Sequence, residues 1–439
     1  MPFFSQEALL PGVRSREVFG WAMYDFANSG YTTVVLTAVF ASYFVGVVAN
    51  GAPWATFVWT LALSVSHAVV MFTMPVMGAW ADHRAAKKRL LMFSTVGCVL
   101  ATAALAWVGP GAVWLGAALI VLSNVFFSWG ESLIAAFLPA LARPEAMGRV
   151  SGWGWSLGYV GGMLTLGLSL GYVLWAQAQG QTADQFVPVT MGITAAVFAL
   201  AAATTLGLLK ERAQPRVDGP VAMGWASSLR QLKTTFHDAK DYPDFVWLLA
   251  CAVAYQGGVA VAVALAAIYA EQVIGFVPQE TMVLIFVLNI AAALGAFAFG
   301  YGQDRFGHKA ALGTTLVAWA ATCVMAALTT SKGGFWYAAA IAGFCMGSSQ
   351  SSGRAMAGLL APPERSAEFF GLWAFATRLA SIIGPLSYGA ITWATGGNQR
   401  LAIAATALMF VAGWGLLWPV DMARGRARAV RFSPPQQGQ

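Results

Sequence analysis

Residues 300–310 read GYGQDRFGHKA, and residues 78–88 read GAWADHRAAKK. Both run Gly-x-x-x-Asp into basic residues, and they lie 222 positions apart (300 − 78). A second pair repeats at nearly the same spacing. RPEAMGRVSG at 143–152 and PPERSAEFFG at 362–371 share Pro-Glu and a glycine seven residues beyond the glutamate, 219 positions apart (362 − 143). Two independent matches at about half the length of a 439-residue chain predict a duplicated architecture.

The duplicated unit is apolar. The chain is 58% hydrophobic and only 10% charged, with mean hydropathy +0.66. Soluble globular chains carry about 25% charged residues, so this one cannot solvate a globular surface and reads as a polytopic membrane protein. The 18 Trp and 47 Gly agree, since Trp anchors interfaces and Gly serves close helix contacts. A span needs about 20 apolar residues. Twelve such runs are found, at 18–48, 55–81, 90–109, 112–142, 150–177, 186–209, 244–271, 278–303, 310–330, 334–361, 369–395 and 399–419.

Lys and Arg set the orientation. On one side lie DHRAAKKR (82–89), RPEAMGR (143–149), the 210–243 loop, DRFGHK (304–309), PPERSAE (362–368) and a tail with Arg424, Arg426, Arg428 and Arg431. The loops on the other side hold only Lys332 and Arg400. This asymmetry predicts cytoplasmic termini and accounts for the net charge of +7 without nucleic acid. The expected organisation is a six-helix bundle at 1–209, a cytoplasmic linker at 210–243, a second six-helix bundle at 244–419 and a tail at 420–439. Within the linker, Trp225, Leu229, Leu232 and Phe236 recur at helical spacing opposite Arg230, Lys233 and Lys240, which reads as an amphipathic surface helix; an irregular linker is the alternative. Cys98, Cys251, Cys323 and Cys345 lie in apolar runs, so neither a disulfide nor a metal site is expected. No cleavable signal peptide is evident, since the apolar run after residue 17 is too long for one.

Twelve spans, termini on one side and parallel six-helix repeats describe the major facilitator architecture. The Gly-x-x-x-Asp loops, between spans two and three and between eight and nine, resemble the signature loop of that superfamily. The second copy is the better match; the first has His83 and Ala85 where arginine and a turn glycine are usual. WAMYDFANSGYTTVV (21–35) and PPERSAEFFGLWA (362–374) resemble hallmarks of the vacuole-effluxer-like branch, whose yeast relative releases amino acids from the vacuole. The resemblance runs over essentially the whole chain. It implies an all-α membrane protein of twelve transmembrane helices in two bundles, alternating access, monomeric operation and export of a small solute.

In such a transporter the site lies between the halves near the midplane, and intramembrane polar residues mark it. On span one, Asp25, Asn28, Ser29, Thr32 and Thr33 fall at i, i+3, i+4, i+7 and i+8, one helical face. Span four carries Asn124, Ser128, Glu131 and Ser132; span seven Tyr255 and Gln256 before two glycines; span ten Gln350, Ser351 and Arg354; span eleven Arg378 and Ser381. Counting at about 1.5 Å per residue puts Asp25 and Arg354 at a similar depth, about 10 Å in, with Glu131 and Arg378 nearer the midplane. Two acids and two arginines therefore share one central region and can neutralise one another across it. Asp25 reads either as a proton-binding carboxylate or as a structural acceptor. Glu131 reads as a holder of a substrate ammonium or a proton, or as half of an ion pair. Arg354 and Arg378 read as carboxylate binders, because guanidinium matches that group bidentately, or as permanent partners of the acids.

Asp82 and Asp304, with Arg84 and Arg305, read as gating residues that latch one conformation through helix ends. His67 reads as a buried hydrogen-bonded histidine, with a proton relay as the alternative. Trp153, Trp155 and Tyr159 at the start of span five read as lipid-interface anchors, with a cavity lining as the alternative. Gly154, Gly158 and Gly162 form two overlapping Gly-x-x-x-Gly steps for tight packing. The pairing of acids and arginines suits a zwitterion, so the leading reading is a secondary transporter of amino acids or related polar solutes, with protons and membrane lipid as further partners. Alternatives are an exporter of amphiphilic compounds or lipids, and a non-cycling receptor or scramblase. An enzyme is not expected, for want of a nucleophile with a base, a metal cluster or a phosphate loop, and neither is a cofactor. The expected location is a bacterial inner membrane.

Overall fold

The computed structural model describes residues 4–52, 54–213, 238 and 240–431. The surface helix expected over 225–236 lies outside the described residues. Among those described, twelve long helices follow one another: α1 (Ser15–Val48), α2 (Ala55–Arg84), α3 (Lys87–Ala104), α4 (Val113–Ala135), α5 (Met147–Ala178), α6 (Ala183–Leu208), α7 (Pro243–Tyr269), α8 (Pro278–Phe306), α9 (His308–Leu328), α10 (Lys332–Leu360), α11 (Ser366–Ala394) and α12 (Gln399–Leu417), with a short α13 (Met422–Arg431) closing the chain.

Eleven of these are long and apolar enough to cross a membrane. The exception is α10, whose second half runs Gly347-Ser-Ser-Gln-Ser-Ser-Gly-Arg354. Its polar residues are not lipid-facing: Ser348, Ser349, Ser351, Ser352 and Arg354 are all buried. Charged ends also lengthen the helices past the apolar runs. The third starts at Lys87 rather than 90 and the eighth ends at Phe306 rather than 303, because Lys87 and Asp304 are paired inside the protein.

The helix neighbours repeat between the halves of the chain. In the first, α1 packs on α5 and α6, and α3 on α4 and α6; in the second, α7 packs on α11 and α12, and α9 on α10 and α12. Two long seams join the halves, α2 with α11 and α5 with α8. Small residues set how closely these seams approach. A Cβ on Gly78 would sit 2.2 Å from the Ala367 carbonyl oxygen, and one on Gly152 would sit 2.5 Å from that of Ala296. Both tight contacts lie toward the face that carries the chain termini, hereafter the terminal face. There Arg143 N–H donates to the Ala8 carbonyl at 2.9 Å, and Arg424 pairs with Asp244 at 2.7 Å.

The turns after α2 and α8 do the same job with different residues. Gly307 leaves α8 at φ 96°, where glycine is unstrained. Ala85 leaves α2 in the left-handed region at φ 51°, a conformation that costs an L-residue about 1–2 kcal/mol.

Candidate functional site

Asp25 of α1 and Arg354 of α10, at the same depth by residue count, are bonded: Arg354 Nη1 donates to Asp25 Oδ2 at 2.6 Å. The pair joins the two halves of the chain and is almost sealed, with side-chain exposures of 9% and 6%. Helix α5 completes it. Arg354 Nε donates to Ser151 Oγ at 3.1 Å and Nη2 to the Ser151 carbonyl at 2.8 Å, while Ser151 Oγ donates to the Ser351 carbonyl at 2.9 Å. The guanidinium is held between indoles, 4.8 Å from Trp21 and 5.2 Å from Trp155, a geometry that favours a cation. Gly154 makes room for this cluster. A Cβ there would fall 2.4 Å from Asp25 Oδ2 and 2.6 Å from Arg354 Nη2.

One layer closer to the middle of the molecule, Arg378 of α11 donates to Glu131 of α4, again across the halves. This pair is open where the first is closed: the Glu131 side chain is 37% exposed and that of Arg378 14%. Arg378 Nε has no protein partner among the described residues, and the same holds on α4 for Oγ of Ser128 and Oδ1 of Asn124 and on α1 for both amide atoms of Asn28. Buried polar atoms left unbonded are costly, so these are places for water or a ligand. Asn124 Nδ2 donates to Ser66 Oγ on α2 at 2.6 Å. His67, beside Ser66, is half-buried, and its Nδ1 has no partner among the described residues.

Other polar residues of the sequence reading are spent within their own half. Thr32 and Thr33 donate to the Ser29 carbonyl at 3.0 and 2.8 Å, at the point where α1 widens into π-helical turns over Thr32–Ala38. Gln256 of α7 and Gln350 of α10 exchange amide bonds at 2.9 and 3.3 Å, and the buried Tyr255 hydroxyl accepts from Gln256 Nε2 at 3.3 Å. Trp153 and Tyr159 are buried, so they are not lipid anchors: Trp153 packs edge-on to Phe4 at 5.3 Å.

At the terminal face two carboxylates receive the free N–H groups of helix starts in the opposite half. Asp304, at the end of α8, accepts from Gly148 and Arg149 of α5 at 2.9 and 3.0 Å. Asp82, near the end of α2, accepts from Glu368 N–H of α11 at 2.9 Å and pairs with Lys87 at 3.2 Å; Lys87 in turn donates to Ser366 Oγ at 2.6 Å. Arg84 and Arg305, grouped with these acids from the sequence, stay out of both clusters. Both are exposed and form no ion pair among the described residues. The cations beside the carboxylates are Lys87 and Arg149 instead. Sequence reasoning missed Lys87, Ser151 and Ser366 because each looks like an ordinary loop or helix-start residue. The signal for Ser151 and Ser366 was their place in the repeated Pro-Glu segments.

The model of the vacuole effluxer Atg22-like family matches residues 44–149 and 145–430. The chain belongs to this family. Among its relatives, the MFS-type transporter YxiO of Bacillus subtilis (strain 168) is 27% identical over 405 residues, covering 90% of this chain and 92% of that one. Autophagy-related protein 22-1 of Penicillium rubens is 24% identical over 485 residues, covering 90% and 80%. The fold is that of the solved major facilitator transporter FucP in its outward conformation, at TM-score 0.70 and 14% identity over 93% of this chain and 98% of that one. This Atg22-like chain is therefore a multi-pass membrane transporter of the major facilitator superfamily, and not an enzyme.

Proposed function

We propose that this transporter moves a small zwitterion, an amino acid or a close relative, by alternating access, and that Glu131 and Arg378 are the charges the solute displaces. One observation carries the reading: a carboxylate and a guanidinium paired across the two halves at mid-depth, with the carboxylate more than one-third exposed. A solute ammonium would replace Arg378 on Glu131, and its carboxylate would take the guanidinium bidentately. Neither charge is then left bare at any stage. Asn28, Ser29, Asn124 and Ser128 of the first half and Gln256, Gln350 and Tyr255 of the second are the further solute contacts in this reading.

Asp25 and Arg354 hold the terminal face shut in this reading, together with the Asp82 and Asp304 caps. Opening that face breaks a buried pair that three helices share. Proton binding to Asp25 or Glu131 in the open state would neutralise the acid and let its arginine go, which couples transport to protons. The positive-inside pattern supports a cytoplasmic terminal face, in a bacterial inner membrane on this reading, and the description of the matched family as vacuole effluxer-like favours efflux. The unit is a monomer.

Counterflow of labelled amino acids into proteoliposomes tests the reading, with Glu131→Gln and Arg378→Ala in parallel. Exchange by the parent, lost in either variant while both stay folded, is the expected result. Folded parent protein that exchanges no amino acid defeats the zwitterion assignment and turns the search to amphiphilic cargo. Net uptake indifferent to an imposed pH gradient removes the proton coupling.

A further inference from the structure

The two features that the transport reading leaves unused are Arg84 and a cavity beside it. The cavity, about 500 Å³, opens where the terminal-face ends of α2, α3 and α6 meet, lined by Trp80, Arg84, Lys88, Arg89, Met92, Leu206 and Glu211. Its lining divides by depth. Toward the span it is apolar, with Trp80, Met92 and Leu206. Met92 is 51% exposed and begins an exposed apolar stripe along α3, followed one turn apart by Val96 at 51% and Leu100 at 64%. Toward the terminal face the cavity is cationic, with three basic side chains against one carboxylate.

Those four charges are not equivalent. Glu211 is committed: its carboxylate accepts Lys88 N–H at 3.0 Å. Lys88 Nζ donates to the Leu209 carbonyl at 2.6 Å. Arg84 and Arg89 are exposed and have neither a hydrogen bond nor an ion pair among the described residues. Two free guanidiniums therefore converge on a hollow whose inner wall continues into the lipid-facing surface of α3. Guanidinium pairs recognise phosphate, and a basic pocket between helices at headgroup level takes anionic lipid.

We propose that this cavity binds an anionic phospholipid, with its phosphate on Arg84 and Arg89 and an acyl chain along Met92, Val96 and Leu100. The occupant is a lipid rather than a phosphate from solution because the apolar wall and the exposed stripe run on from the cationic rim without a break. A zwitterionic headgroup fits less well, since its cation would meet the two free arginines while the one carboxylate is already bonded. Arg84 lies two residues from Asp82, so the lipid would hold the end of α2 beside the cap that joins α2 to α11.

The test is a titration of the purified full-length protein in neutral detergent with dioleoyl phosphatidylglycerol, read by the midpoint of thermal unfolding. Dioleoyl phosphatidylcholine and glycerol 1-phosphate form the other arms, and Arg84→Gln, Arg89→Gln and the double variant are titrated alongside. Phosphatidylglycerol should raise the midpoint saturably, and the other two should not. Each single variant should need about fivefold more phosphatidylglycerol for half the effect, and the double variant about 25-fold more, at the usual contribution of one basic residue near an anionic surface. An equal rise with phosphatidylcholine, or an undiminished rise in the variants, overturns the proposal. A rise with glycerol 1-phosphate equal to that with the lipid overturns the lipid source. Should the double variant not fold, either single variant decides the question, because neither arginine has a protein partner to lose among the described residues.

Discussion

Two ion pairs cross this protein, and they differ in what surrounds them. Asp25–Arg354 is under 10% exposed on both sides, shared with a third helix through Ser151 and enclosed by Trp21 and Trp155. Glu131–Arg378 lies deeper by residue count, yet its carboxylate is 37% exposed, and Arg378 Nε and Ser128 Oγ, one turn from Glu131, are unbonded among the described residues. In the proposed reading the same two chemical groups serve two purposes. A pair sealed by packing can be broken only by moving helices, which suits a clamp. A pair facing a polar opening can be exchanged for a ligand's own charges with the helices in place.

That contrast can be broken experimentally, beginning with the largest effect. Arg354→Ala should cost about 3–5 kcal/mol of stability, because it strands Asp25 as a buried unpaired charge; thermal unfolding of the purified protein measures it. The double variant Asp25→Asn/Arg354→Ala should recover a large part of the loss, and failure to recover it would separate Arg354 from Asp25. Next, Glu131→Gln should leave the unfolding midpoint near that of the parent, because an ion pair open to solvent contributes about 0–1 kcal/mol. Counterflow is where that variant should fail. If its stability falls as far as that of Arg354→Ala, the two pairs are alike and the comparison collapses.

The terminal-face caps sharpen the same distinction. Asp304→Asn and Asp82→Asn each weaken charge-assisted bonds to helix-start N–H groups, at about 1–3 kcal/mol apiece. Each should raise the labelling of a cysteine placed on the terminal side of α5 or α11 by an impermeant thiol reagent. The smallest expected effect concerns the turns. Ala85→Gly should stabilise by up to about 1 kcal/mol, since it relieves a left-handed alanine, and Gly307→Ala should destabilise by at least as much, since φ 96° with ψ 140° is open essentially only to glycine. Shifts of opposite sign in the unfolding midpoint are the check.

Much of this was legible in the sequence, for physical reasons that also mark the limit. The twelve helices follow from apolar runs of span length, and α10 was found even though its Ser-rich half is too polar for lipid, because its first half is apolar enough to declare a helix. Depth counting along α1, α4, α10 and α11 brought Asp25 level with Arg354 and Glu131 level with Arg378, since rise per residue is nearly constant in a helix. Which acid took which arginine, and how exposed each pair is, depends on helix rotation and on third parties such as Ser151. A sequence does not encode those locally. The same limit explains Arg84 and Arg305. Arg305 is one residue from Asp304 and Arg84 two from Asp82, helix rotations of about 100° and about 200°, and both side chains turn out to the surface. Lys87 reaches Asp82 because the turn at Ala85 folds the start of α3 back onto the end of α2. The aromatic cluster at Trp153 looked like an interface belt because only the packing of Phe4 against it reveals that the chain's own first residues cover it.

The central claim, that one pair is open to the aqueous pathway and the other is sealed, can be tested on the unmodified protein. Carboxyl footprinting with a water-soluble carbodiimide and glycine ethyl ester, read by peptide mass spectrometry, compares Glu131 and Asp25 in a single sample. The account predicts that Glu131 is labelled and that Asp25 stays unlabelled until the protein is unfolded. Labelling of Asp25 at the same rate as Glu131, or ahead of it, would contradict it.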